Sequence, residues 1–170
     1  MNTVTGLFND QDSAERAYKS ALESGYSSND IDVIMSEETR QKYYGHKTTL
    51  ETEVDNKAAE GAAIGGALGA TVGAIAAAVA AVGTVIALPG LGLVISGPLA
   101  AGIAGAGAGG VSAGLIGALV GYSIPEDTLK EYESGLKDGG IVVGLNAKSD
   151  EDRDRFKNDW NTNNGRSIHG

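Results

Sequence analysis

Apolar residues along this chain recur with three different periods, and each period predicts a different kind of element. TVTGLF at positions 3–8 is a short β-type run. After it Ala14, Ala17, Tyr18, Ala21 and Leu22 keep helical spacing, with Asn9 or Asp10 placed as N-cap and Gly25 as the stop. IDVIM at 31–35 is a second strand, so the chain opens with a β-α-β unit, a crossover that implies parallel strand directions. Residues 37–60 are polar; only TTLETEV at 48–54 alternates enough to suggest a third strand, and Tyr43 and Tyr44 are expected to pack this linker onto the domain. From Pro125 onward a helical period returns. Pro125 suits a first-turn position, Glu126 and Asp127 suit the positive helix end, Leu129, Tyr132 and Leu136 share a face, and Gly139 ends it. IVVGLNA at 141–147 is a buried-type strand, and Ser149 with Asp152 has capping-box-like spacing ahead of a last helix sealed by Phe156 and Trp160. NNGRSIHG closes the sequence as a turn with at most a stub of strand.

The middle of the chain has a pattern of its own. Between 61 and 88 the large aliphatics fall at Ile64, Leu68, Val72, Ile75, Val79, Val82 and Ile86, steps of three and four that predict one helical stripe. Beside the stripe runs a ladder of small residues, Gly61, Gly65, Gly69 and Gly73. Pro89 and Gly90 break this helix and Pro98 can open another, which carries Gly105, Gly109, Ala113, Gly117 and Gly121 at every fourth position. Glycine inside a helix costs roughly 0.5–1 kcal/mol against alanine, so such ladders need a partner backbone at close range. Positions 61 and 121, 65 and 117, 69 and 113, 73 and 109, and 77 and 105 pair if the two arms fold back near Leu91 as an antiparallel hairpin.

The predicted fold class is therefore α+β: a ferredoxin-like split β-α-β / α-β sandwich interrupted by a long Gly/Ala-rich antiparallel helical hairpin. Residues 1–56 are its first half with the polar linker, 57–122 the glycine-zipper hairpin, and 123–170 the second half.

Charge sharpens this division. No Asp, Glu, Lys, Arg or His occurs from 61 to 125, while the flanks are acidic and give a net charge of -9. With no basic stripe, nucleic acid is not an expected partner. The absence of cysteine removes disulfide and thiolate chemistry and agrees with a cytoplasmic location, and the start MNTVTGLFNDQDSAERAY has no secretory signal pattern. Residues 98–121 as a helix would span roughly 36 Å, which permits a bilayer crossing without demanding one.

GLFNDQDSAERA, GYSSNDIDVIM, LPGLGLVISGPLAAGIAGAGAGG and IPEDTLKEYESGLKDGGIVVGL, taken with the glycine ladder, resemble the YflT-like bacterial general stress protein family over nearly the whole chain. The resemblance implies a stress-induced bacterial protein and offers no catalytic residues to carry over. The ending NNGRSIHG departs from the family pattern, where a clear final strand is usual.

Candidate chemistry is sparse. Gly105, Gly107 and Gly110 satisfy GxGxxG but no strand precedes them. His46 and His169 lack companion ligand spacing, and Asp150, Glu151, Asp152 and Asp154 read as a solvated helix start rather than a cation loop. No catalytic residue, cofactor or metal is expected. The leading functional expectation is a non-enzymatic assembly protein that forms homo-oligomers through its hairpin. The alternative is a membrane-anchored adaptor, a lipid bilayer partner at the inner membrane contacting residues 61–122. A small-ligand binder is a third.

Overall fold

The computed structural model describes residues 2–44, 73–75, 85–88, 92–101, 119 and 124–170. The class is α+β, a six-stranded antiparallel sheet with helices on both faces.

Strand β1 (Thr3–Phe8) is buried along its whole length and leads into helix α1 (Gln11–Glu23). Asp10 caps that helix: its Oδ1 accepts from Ser13 N at 2.8 Å, satisfying an amide that has no intrahelical partner. Gly25 at φ +83° turns the chain away after the last turn. Strand β2 (Ile31–Ser36) passes directly into helix α2 (Glu37–Tyr44), where Ser36 Oγ accepts from Thr39 N at 3.0 Å. The linker thus begins as a helix, and Tyr44 is buried with Tyr43 packed partly against the core, as the two aromatics led us to expect. The strand expected at 48–54 lies outside the described residues.

The second half of the chain completes the first. Helix α3 (Glu126–Lys137) ends before Gly139 at φ +91°, and strand β5 (Ile141–Asn146) inserts between β1 and β2, antiparallel to both. Its register runs from Phe8↔Ile141 to Thr3↔Asn146 on one side and from Met35↔Ile141 to Ile31↔Leu145 on the other. Strands β1 and β2 consequently share a direction, as the crossover requires, while lying apart. Helix α4 (Asp150–Thr162), capped by Ser149 Oγ accepting from Asp152 N at 3.1 Å, returns the chain to strand β6 (Arg166–His169) beside β1. The closing strand is more than the expected stub, although its pairing with β1 shifts register between Thr5 and Leu7, with Ser167 at φ +50° in the irregularity.

The largest correction concerns the uncharged segment. Residues 85–88 are not the end of a helix: Val85–Leu88 is strand β3, and Leu93–Ser96 is strand β4. The two pair antiparallel, and β4 pairs with β2, so the sheet order is β3-β4-β2-β5-β1-β6. Val85 and Ile86 are β-branched, β4 docked on β2 offers them its outer edge, and backbone pairing there outweighs a stripe of helical spacing. The expected reversal near Leu91 is present, as a β-hairpin rather than a helical one. Nor is 61–88 one unbroken helix, because Gly73 is non-helical ahead of helical Ala74 and Ile75. Pro98 does open a helical stretch, described at 98–101.

The sheet has two cores. On one face α1 and α4 cover Val4, Phe8, Ile31, Val33, Met35, Val94, Ile141, Val143 and Leu145, with Trp160 edge-on to Phe8 at 5.8 Å between centroids. On the other, α3 covers Leu7, Ile34, Ile95 and Val142 together with Ala100, Leu119 and Ile124. Gly135 of α3 sits against Leu7 so closely that a Cβ would collide with Leu7 Cδ2.

Candidate functional site

Of the nine small residues expected to form helix-packing ladders, Gly73 is described and the structure gives it a different neighbour. Gly61, Gly65, Gly69, Gly105, Gly109, Ala113, Gly117 and Gly121 lie outside the described residues, as do the GxGxxG glycines and His46. Gly73 stands against α1, and a Cβ there would collide with Glu15 Oε1. Because no side chain intervenes, the Glu15 carboxylate reaches the following backbone: Ile75 N donates to Oε2 at 3.1 Å. Tyr44 OH donates to Oε1 of the same carboxylate at 3.3 Å.

A second carboxylate holds the segment at Pro98. Asp32, 1% exposed on β2, accepts from Leu99 N at 2.7 Å. Gly97 occupies the position ahead of this helical stretch, where a capping side chain would normally stand, and it has φ +105°. A Cβ on Gly97 would lie 2.6 Å from Asp32 Oδ1 and would also collide with the Ile31 carbonyl. Its missing side chain lets Asp32 do the capping from the neighbouring strand, and Gly144, paired with Asp32 across β5, leaves room on the other side. Both carboxylates act on Tyr18 as well: burial first, then Glu15 and Asp32, push its phenol well above the ordinary value.

Two helical starts in a segment without one charge of its own are thus tied to acids supplied by the α+β domain. Anionic groups are favoured at such starts, where backbone amides lack intrahelical partners. Asp32 was legible as the one charged residue inside the apolar run IDVIM; nothing in the spacing around Glu15 set it apart from the exposed acids of α1.

A cleft of about 560 Å³ lies elsewhere, between α3 and the β1–β6 edge, with Glu131, Asp138 and Arg166 on its walls. Ser167 Oγ donates to Glu131 across it, and Tyr132 OH donates to the Ser167 carbonyl at 2.8 Å. His169 is half-buried in β6. Asp152, one of the acids at the start of α4, accepts from Tyr26 OH at 2.6 Å and pairs with Arg155 at 3.0 Å, which makes it structural. Among the described residues no group of three His, Cys, Asp or Glu side chains is placed to hold a metal ion.

Compared with family models, with curated proteins and with solved structures, the chain matches none of them.

Proposed function

We propose that this is a non-enzymatic assembly protein of the bacterial stress-protein kind its motifs resemble, in which a ferredoxin-like α+β domain carries an uncharged, glycine-laddered segment through which copies associate. The ferredoxin-like reading is supported by the interleaving of β1-α1-β2 with β5-α4-β6, which sets the strands in the order β2-β5-β1-β6 with α1 and α4 on one face. The inserted helical arms, with Gly61, Gly65 and Gly69 against Gly121, Gly117 and Ala113 in that order or their equivalents in a second copy, belong to this proposal too.

The observation that carries it is the attachment of the uncharged segment to the domain: its turn is the β3–β4 hairpin at the edge of β2, and Glu15 and Asp32 hold the helical starts on either side. A turn paired to the sheet is not at the far side of a bilayer, which favours assembly over the membrane-anchored adaptor. Among the described residues no helix is long and apolar enough to cross a membrane. An uncharged segment is also where two copies of net charge -9 can approach with least repulsion.

Light scattering on the purified chain, in buffer and in mild detergent, tests the reading. A mass several times the 17.2 kDa of one chain is expected, and a monodisperse monomer in both media overturns it. Gly69→Leu should reduce the mass more than Leu68→Ala does, since bulk in a ladder separates backbones that otherwise touch.

A further inference from the structure

We propose that the cleft between α3 and the β1–β6 edge is a binding site for a small zwitterion, a free α-amino acid, whose carboxylate sits on Arg166 and whose ammonium group sits between Glu131 and Asp138. Arg166 leads there first. Every other Lys and Arg among the described residues is engaged by a carboxylate, a hydroxyl, a carbonyl or an aromatic ring, whereas Arg166 makes no such contact with them. It lines a cleft that also holds the carboxylates of Glu131 and Asp138, and it pairs with neither. Glu131 accepts from Ser167 Oγ through Oε2, which leaves acceptor capacity on the carboxylate. Unlike charges that share a cleft without meeting are complementary to a ligand that carries both signs. A lone anion would face two acids there, and a lone cation would face the guanidinium.

The fold builds the cleft without help from a ligand. Leu7 and Arg166 are register partners, and opposed residues on neighbouring strands share a face. Leu7 belongs to the core beneath α3, so Arg166 is carried to the α3 side of the sheet. Between this pair and Thr5↔His169 strand β6 has one residue more than β1, a bulge in which Ser167 takes φ +50°. The Ser167 carbonyl accepts from Tyr132 OH at 2.8 Å, which ties the bulge to α3. On the helix side Gly135 lies against Leu7, and a Cβ on Gly140 would stand 3.0 Å from the Phe8 carbonyl, so the end of α3 comes close to β1. Asp138 caps that end, where the helix carbonyls already favour a positive charge. The volume of about 560 Å³ lies within the range of about 300–1,000 Å³ usual for small-molecule clefts. Exposed Asn9 and Ser134 also line it, and their side chains bond to none of the described residues, which leaves them to a ligand's polar atoms. The site is independent of the assembly reading.

An NMR titration of backbone amides in the full chain decides it. The probe is L-alanine, which presents the zwitterion with little else, and the controls are acetate and methylammonium, which carry one charge each. L-Alanine should shift the amide signals of Ser134, Gly135, Gly140 and Ser167 along a saturable curve while those of Val33 and Val143, on the opposite face, stay in place. Acetate and methylammonium should bind at least about tenfold more weakly, because each leaves a charge-assisted hydrogen bond unmade. Arg166→Gln should weaken L-alanine at least about tenfold, and Asp138→Asn by less, since Glu131 remains; both positions are exposed, so the spectrum away from the cleft should keep its parent form. The absence of a saturable shift at the cleft overturns the site. Acetate or methylammonium bound as tightly as L-alanine overturns the zwitterion, and so does undiminished affinity in Arg166→Gln. The mass read by light scattering bears on the assembly reading alone, so either can fall without the other.

Discussion

The two faces of the sheet are built from different material. One face is closed by α1 and α4, amphipathic helices that carry charged residues outward and large aromatics inward, with Tyr18, Phe156 and Trp160 each at most 1% exposed. The other is closed by α3 together with Ala100, Leu119 and Ile124, residues that belong to the uncharged segment and its exit. The segment reaches the first face as well, where Ile75 and Val94 are buried in the core. Among the described residues the second draws on it more heavily, with Ile95, Ala100, Leu119 and Ile124 packed beside Ile34 and Val142. The segment is consequently part of the domain it interrupts, and excising 61–121 removes β3, β4 and part of a core along with the glycine ladders.

Truncation on each face measures this difference. Trp160→Ala should cost about 3–5 kcal/mol in chemical denaturation, because it empties a fully enclosed site between Phe8 and Phe156. Leu119→Ala should cost about 2–5 kcal/mol if the segment is core for the second face. A loss below about 0.5 kcal/mol would reduce that face to α3 alone and break the comparison.

Gly97 probes the join between segment and sheet. Gly97→Ala combines a left-handed backbone with a collision against the Ile31 carbonyl, so a loss of about 1–3 kcal/mol is expected by thermal or urea unfolding. Gly92, at φ +60° with open space around it, should lose less on the same change, which separates conformational strain from crowding.

The smallest effect concerns α2, whose first amide, Glu37 N, donates to the Gly92 carbonyl in the β3–β4 turn at 2.7 Å. Hydrogen bonding from Arg40, then from Gln41, holds the Glu37 carboxyl down at about 2, against an ordinary value of 4.5. A depressed carboxyl stabilises above its unfolded value and loses that contribution as pH falls through the folded one. Glu37→Gln should therefore cost a few tenths of a kcal/mol at neutral pH, the pair being partly exposed, and the difference from the parent should vanish between pH 4.5 and about 2. A difference that persists at pH 2 would assign the effect to helix α2 itself.

Much of the first face was legible in sequence because its elements carry local punctuation. Asp10 and Ser149 announce helix starts, Gly25 and Gly139 announce stops, and TVTGLF and IVVGLNA lie between them as strands. Strand β3 was not legible, because Ile86 continues a spacing of three and four from Val79 and Val82, and a short apolar run fits helix or strand equally well until its neighbours are known. The fold-back point was readable all the same: Leu88↔Leu93 brackets it. Helix α2 escaped because EETRQKYY has no apolar stripe; its signals were the acids of the first turn and the Glu37–Arg40 pair one turn apart. The two fastening carboxylates depend on a tertiary approach of strand, helix and segment, for which a single chain of letters carries only the oddity of Asp32 among apolar neighbours.

The central claim is that the middle of the uncharged segment is a strand pair joined to β2, and a disulfide tests it most directly. Ser36 and Leu93 are register partners at half-buried positions on neighbouring strands, and the natural chain contains no cysteine to interfere. Directly opposed positions on adjacent strands place Cβ atoms about 4.5–5.5 Å apart, within reach of a bridge after small adjustment. Ser36→Cys combined with Leu93→Cys, oxidised at low protein concentration, should form a bond within one chain, read as an intramolecular link by mass spectrometry after proteolysis. Ser36→Cys with Val94→Cys, one residue out of register and on the other face, should not. Failure of the first pair, or equal yields from both, would contradict the account and return residues 85–96 to the turn of a projecting helical hairpin.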